Sequence, residues 1–250
     1  KAARAKGIET IEVFFGVEQA VRLSAAGKQA DLMAANNVLA HVPDINGFTK
    51  GLAAALNPDG VITLEFPHLM RLVESCQFDT VYHEHFSYLS LGTVTRIFKA
   101  ARLRVFDVQE LPTHGGSLRV FGCHAEAGHV DSTAPVAVLA EEHRRGMAGP
   151  NFYAEFQARA ETVKDGLLRF LLDAKRDGRT VAAYGAAAKG NTILNFAGVK
   201  PDLLPFVCDA APSKQGKLMP GSEDEMLARV ESYLGDCTTD RTTHRENPHG

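Results

Sequence analysis

Closely paired cysteines are missing from this chain. Cys76, Cys123, Cys208 and Cys237 stand far apart with no Cys-x-x-Cys among them, so neither a zinc knuckle nor a disulfide framework is indicated. A basic excess is missing as well: the formal net charge is -3 and the pI is near 6.4, which gives no footprint for nucleic acid or an anionic membrane. No apolar run approaches the length of a membrane span. There is no signal-peptide pattern, no internal repeat, and no Gly-x-x-x-x-Gly-Lys-Ser/Thr order of a Walker loop. What is present is an ordinary globular composition: 250 residues, 45% hydrophobic and 23% charged, enough to bury one large or two small cores. A small molecule is the expected partner, and the cytoplasm, with reduced thiols, the expected setting.

Against that background one stretch stands out, Asp79-Thr-Val-Tyr-His-Glu-His-Phe-Ser-Tyr-Leu-Ser90. Tyr82, His83, Glu84, His85 and Tyr88 all exchange protons, and they lie between apolar segments at 61–66 and 94–101. Such polar side chains gain nothing for a core and must be hydrogen-bonded wherever they are buried. A single Tyr or His is often an ordinary core residue, but five together point to a site. On an extended backbone His83 and His85 would share one face and Tyr82 and Glu84 the other; in a loop all four can converge. His83-x-His85 could also chelate Zn²⁺ or Fe²⁺ with a distant His41 or His114.

Along the chain, residues 8–15 have the β-branched and aromatic content of a strand, and 17–26 the pattern of a helix closed by Gly27. Residues 30–35 read as a buried parallel strand opening into Asn36-Asn37, and Pro43-Asp44 starts a helix running through Leu56. Asn57-Pro-Asp-Gly60 predicts a turn, followed by a strand at 61–66 that stops at Pro67. Strands alternating with helices argue for a parallel α/β sheet. Ligands bind such sheets at the carboxyl ends of the strands, here residues 36–41 and 65–68.

Residues 94–101 predict a helix, and 103–110 and 118–123 predict two strands joined through Thr113-His-Gly-Gly-Ser117 as an antiparallel hairpin at the sheet edge. A first domain would thus span 1–127. Residues 128–178 read as a charged connection and one long amphipathic helix ending near Asp177. Residues 179–222 open a second α/β domain: a strand at 179–184, the turn Gly185-Ala-Ala-Ala-Lys189-Gly-Asn-Thr192, a helix, and a strand at 204–209. Backbone N–H groups at that helix start, beside Lys189, suit a phosphate or other anion. A tight turn with a solvated lysine accounts equally well for the same residues. Residues 223–250 are polar enough to predict a disordered tail.

Four motifs in order, Ala35-Asn-Asn-Val-Leu-Ala-His-Val-Pro43, Tyr82-His-Glu-His-Phe86, Leu111-Pro-Thr-His-Gly-Gly-Ser117 and Tyr184-Gly-Ala-Ala-Ala-Lys-Gly-Asn191, resemble the S-adenosylmethionine-dependent C-methyltransferases that act on nucleotide-linked keto-deoxysugars. The likeness covers about residues 1–221. It implies an incomplete class I methyltransferase sheet followed by a second Rossmann-like α/β domain, S-adenosylmethionine as cofactor and a nucleotide-linked sugar as substrate. It further implies His85 as catalytic base, with His41, Tyr82 and Glu84 around the substrate, Asn36 and Asn37 at the cofactor-facing strand end, and His114, Tyr184, Lys189 and Asn191 on the substrate.

Three departures from the family pattern lead to further expectations. The family's N-terminal zinc-binding segment is not seen, so no metal is assigned. The first strand with its glycine turn and acidic residue is not seen either, and the 250 residues alone are expected to be inactive. Beyond Ser222 the family pattern does not continue. Two other readings stay open on the residues themselves: a metal-dependent enzyme using His83, His85 and a third histidine, and a sugar-nucleotide-binding module without catalysis.

Overall fold

Apolar runs punctuated by Gly, Asn and Asp become strands and helices in turn along the described residues, 2–221 and 229–232 of the computed structural model. In order they are α1 (Ala2–Ala5), α2 (Val17–Ala25), β1 (Ala30–Asn36), α3 (Ile45–Ala55), β2 (Leu56–Pro67), α4 (Leu69–Glu74), α5 (Leu91–Ala100), β3 (Leu103–Leu111), β4 (Ser117–His124), α6 (Ala134–Arg144), α7 (Phe156–Arg176), β5 (Ala183–Tyr184), α8 (Ala188–Phe196), β6 (Phe206–Asp209) and β7 (Arg229–Ser232). Residues 229–232, expected to lie in a disordered tail, instead form β7 on the edge of β6, and the rest of 223–250 lies outside the described residues. The chain divides into two units, residues 1–77 with 83–154, and residues 78–82 with 155–250.

Unit 1 is built on a four-stranded sheet in the order β1-β2-β4-β3, with β1 and β2 parallel and the other two pairings antiparallel. Ile62, Leu64 and Phe66 alternate along β2, are fully buried, and pack with Leu118 and Val120. On α5, Leu91, Val94 and Phe98 recur at helical spacing and join the same core; each such burial stabilises by about 1.5–3 kcal/mol. Ser90 starts that helix by accepting the Thr93 N–H, and Asp44 caps α3 through the Gly47 N–H. The antiparallel pair β3–β4 forms as the Gly-Gly turn predicts, with β3 at the sheet edge.

Four local expectations are corrected. Residues 8–15 form no strand: a strand needs ladder partners for its N–H and C=O groups, and no strand among the described residues pairs with them. Phe14 is fully exposed there, while Phe15 turns inward to meet Phe48 edge-on at 5.7 Å. β1 is not a buried strand, because β2 is its one partner among the described residues, and Leu32 is 65% exposed. The Asn57–Gly60 turn is absorbed into β2 as an irregularity, since Ala30 pairs with Leu56 and Leu32 already with Val61. The strand expected at 179–184 shortens to Ala183–Tyr184.

Unit 2 has a parallel three-stranded sheet, β5-β6-β7. Leu171 of α7, Leu194 of α8, Val199, Leu204 and Val207 form its core. The stretch 128–178, read as one connection plus helix, is shared: α6 belongs to unit 1 and α7 to unit 2.

Candidate functional site

The polar end of the unit 1 sheet begins where β1 stops. Asn36 is exposed, and Asn37 takes a left-handed backbone, φ 54°, donating its N–H to the Glu65 carbonyl at 2.7 Å. The chain then turns through Leu39–His41. Here the histidine-rich stretch is hung on the first motif: Phe86 and Ser87 both donate their N–H groups to the Ala40 carbonyl, at 2.9 and 3.2 Å. That stretch is a loop, not a strand. His83 and Glu84 are exposed, and His85 is half-buried.

The structure brings His41 and His85 together, with ring centroids 4.6 Å apart and the planes tilted by 58°. Tyr88 meets His85 edge-on at 6.1 Å. His41 Nδ1 donates to the Glu84 carbonyl at 2.9 Å. A carbonyl can only accept, so Nδ1 carries the proton and a neutral His41 presents Nε2 as an acceptor. Glu84 thus orients His41 through its backbone carbonyl.

The turn carrying His114 lies across the same sheet end. His114 is exposed with φ 53°, followed by Gly115 and Gly116 at φ 78° and 117°. Gly116 is needed there for a second reason: a Cβ would come 2.7 Å from the Arg71 side chain. Thr113 Oγ1 donates to Glu65 Oε1 at 3.0 Å, Ser117 Oγ to the Thr113 carbonyl at 2.9 Å, and the His68 N–H to the Gly116 carbonyl at 3.0 Å.

Beneath the loop is a buried carboxylate that sequence reasoning missed. Glu142 of α6 accepts His68 Nε2–H at 2.8 Å and the N–H groups of Leu91 and Gly92 at 2.6 and 3.0 Å. It therefore caps α5 at the exit of the histidine loop. Burial pushes its pKa up, but the bonds from His68 and the two backbone N–H groups together outweigh that and hold it below the usual value. In sequence Glu142 is one of several charges in an apparent connection, and the weak signal available was its place on a helix that also buries Val138.

The remaining predicted residues belong to unit 2. Tyr82 closes the 78–82 segment assigned to that unit, in which Phe78 packs on Phe196 at 5.2 Å. Tyr184 ends β5 and is 66% exposed. Gly185, at φ 98°, donates to the Cys208 carbonyl, and α8 then starts from Ala187 without a side-chain cap. Lys189 and Asn191 lie in its first turn. Asn191 Oδ1 is buried and has no hydrogen-bond partner among the described residues. Asp209, at the end of β6, accepts the Ala211 N–H, Lys214 Nζ and the Ala186 N–H, and these keep its carboxyl below the ordinary range. Among the described residues no three His, Cys, Asp or Glu side chains gather into a set that could hold a metal ion, so the metal-dependent reading finds no ligand set there.

Residues 3–108 match the family described as methyltransferase domain, and residues 112–230 match that described as C-methyltransferase C-terminal domain. The chain is 39% identical over 220 residues, 88% of its length, to C-methyltransferase NovU of Streptomyces niveus. It spans about half, 52%, of that relative. Among solved structures it overlaps an O-methyltransferase family protein from Burkholderia thailandensis at 15% identity, covering 51% of this chain and 39% of that one with a TM-score of 0.37. A second overlap is with the same organism's 1,6-didemethyltoxoflavin-N1-methyltransferase, at 15% identity over 38% and 44% of the two chains with a TM-score of 0.30. These two overlaps are partial and bear no weight on the site. Both family segments match in order and the NovU likeness runs through most of this chain, so its similarity to C-methyltransferases extends over nearly all of its length.

Proposed function

We propose that the chain serves S-adenosylmethionine-dependent methyl transfer to a carbon next to the ketone of a nucleotide-linked keto-deoxysugar. The observation that carries this reading is the His41–His85 pair, held at the carboxyl end of the sheet by the Ala40 and Glu84 carbonyls, in a chain similar to C-methyltransferases over most of its length. Joining carbon to a sulfonium methyl requires a carbanion, and a neutral imidazole beside the substrate makes one by removing the proton next to the ketone. His85 is assigned that role. The enolate oxygen then needs a donor. His41 donates from Nε2 only as the imidazolium, because Nδ1–H is committed to Glu84; Tyr82 is the other candidate.

S-adenosylmethionine, when bound, supplies the electrophilic methyl group and leaves as the thioether. The residues at the end of β1 suit such a group. The exposed Asn36 amide offers a donor and an acceptor, and a cavity of about 250 Å³ lined by Phe15, Met33, Val38 and Leu64 among others offers an apolar wall. In unit 2, Lys189 and the N–H groups at the start of α8 suit a phosphate, Asn191 Oδ1 suits a hydroxyl or N–H donor, and the exposed Tyr184 ring a flat base or sugar. A nucleotide-linked sugar offers each of these groups.

The test is methyl incorporation from labelled S-adenosylmethionine into a nucleotide-linked 4-keto-deoxysugar, using the natural polypeptide that carries these residues. Label on carbon is expected. Label on oxygen or nitrogen, or none, would reject the reading.

A further inference from the structure

Glu65 is a carboxylate only 5% exposed, set between the fully buried Leu64 and Phe66. A charge in that position is tolerated when paired and hydrogen-bonded, and both of its oxygens are engaged. Oε1 accepts from Thr113 Oγ1 at 3.0 Å, and Oε2 from Arg119 Nη2 at 2.9 Å. Arg119 is its direct partner across the β2–β4 ladder. The Glu65 carbonyl meanwhile accepts the Asn37 N–H at 2.7 Å.

Two non-glycine residues in left-handed backbone, Asn37 and His114, lie at the far ends of these contacts. Asn37 is bonded directly, and His114 directly follows Thr113. Backbone of this kind costs energy and persists where its surroundings over-determine it. We propose that Glu65 is a positioning residue for the methyl-transfer site, its backbone setting the Asn37 turn on the cofactor side and its side chain setting the Thr113–His114 turn on the substrate side. The inference rests on the proposed function and on the sides of the site, cofactor for Asn37 and substrate for His114, that the family resemblance implies. It has a directional consequence: replacing the side chain leaves the carbonyl bond to Asn37 in place, so the effect must fall on the substrate side. A carboxylate that merely balanced Arg119 would show no such direction.

The experiment compares Glu65→Gln and Thr113→Val, the second of which leaves the Glu65–Arg119 pair intact, in the natural polypeptide that carries these residues. Steady-state methyl transfer to a nucleotide-linked 4-keto-deoxysugar is measured, together with NMR signals of residues 113–117 without ligand. Both variants should raise the KM for the sugar about tenfold, as expected for a lost bond to a charged group, and leave that for S-adenosylmethionine within about twofold. The 113–117 signals should shift in both. An equal rise in the two KM values, or an unchanged sugar KM in a folded variant, overturns the proposal. Should the unsubstituted protein transfer no methyl group, the functional reading fails by itself; the NMR signals then decide, and unmoved 113–117 resonances in both variants overturn the positioning role.

Discussion

His85 stands close enough to His41 for the two rings to share one patch of surface, and it is the imidazole to which the proton-abstracting step is assigned. In the natural polypeptide that carries these residues, His85→Ala should lower kcat about 10²–10⁴-fold, with the affinity for S-adenosylmethionine, measured calorimetrically, unchanged. Because a base must be neutral to accept a proton, kcat/KM should fall toward acid pH; a level profile between about pH 5 and 8 would remove His85 from the mechanism. Glu142 makes a different kind of prediction. Glu142→Gln keeps one acceptor oxygen but turns an amide NH₂ toward a donor, His68 or the α5 backbone. The cost should be about 1–3 kcal/mol of unfolding free energy, the penalty for a buried unsatisfied donor, read from chemical denaturation. Equal stability of variant and parent would show that the pair is dispensable.

Among the elements, α5 and β4 approach through a glycine. A Cβ on Gly122 would fall inside van der Waals contact of the Phe98 ring, which is 0% exposed and has no solvent to swing into. Gly122→Ala should therefore destabilise unit 1 by about 1–3 kcal/mol through overpacking. Combining it with Phe98→Leu should cost less than the sum of the two single changes, because the smaller side chain relieves the clash. Additive costs in that double-mutant cycle would place the strain elsewhere. Much at this scale was legible from pattern. Helical spacing marked α2, α3, α5 and α7, and Thr113-His-Gly-Gly-Ser117 marked the β3–β4 turn. Residues 8–15 were misread because β-branched content describes what fits a strand, while a strand also needs a neighbour to pair with.

At the scale of the whole molecule, the shifted carboxylates among the described residues all move in one direction. Glu142 and Asp209 lie below their ordinary values, and Glu141 is drawn down to about 2 by Arg144 and Arg145. A depressed folded-state pKa means that the unfolded chain binds more protons as pH falls, so its stabilising contribution is complete above the unfolded value and lost through the folded one. The half-buried Glu141 contributes little of this, because solvent still reaches it and screens its pairs with Arg144 and Arg145. The thermal midpoint should be level above about pH 5 and fall between about pH 4.5 and 2, more shallowly in Glu142→Gln. An equally steep fall in that variant would assign acid sensitivity to other groups.

The sequence by itself determined the α/β alternation, the hairpin and the concentration of histidines, because each is written in neighbours a few residues apart. It also carried the family likeness, since the motifs are contiguous strings. Tertiary structure alone decided which polar groups meet. His68 finds Glu142 across 74 residues, Thr113 finds Glu65 across 48, and His41 finds the Glu84 carbonyl across 43. Hydrogen bonds over such separations leave no period in the chain. A buried carboxylate therefore reads as one more surface charge until the fold sets its donors around it.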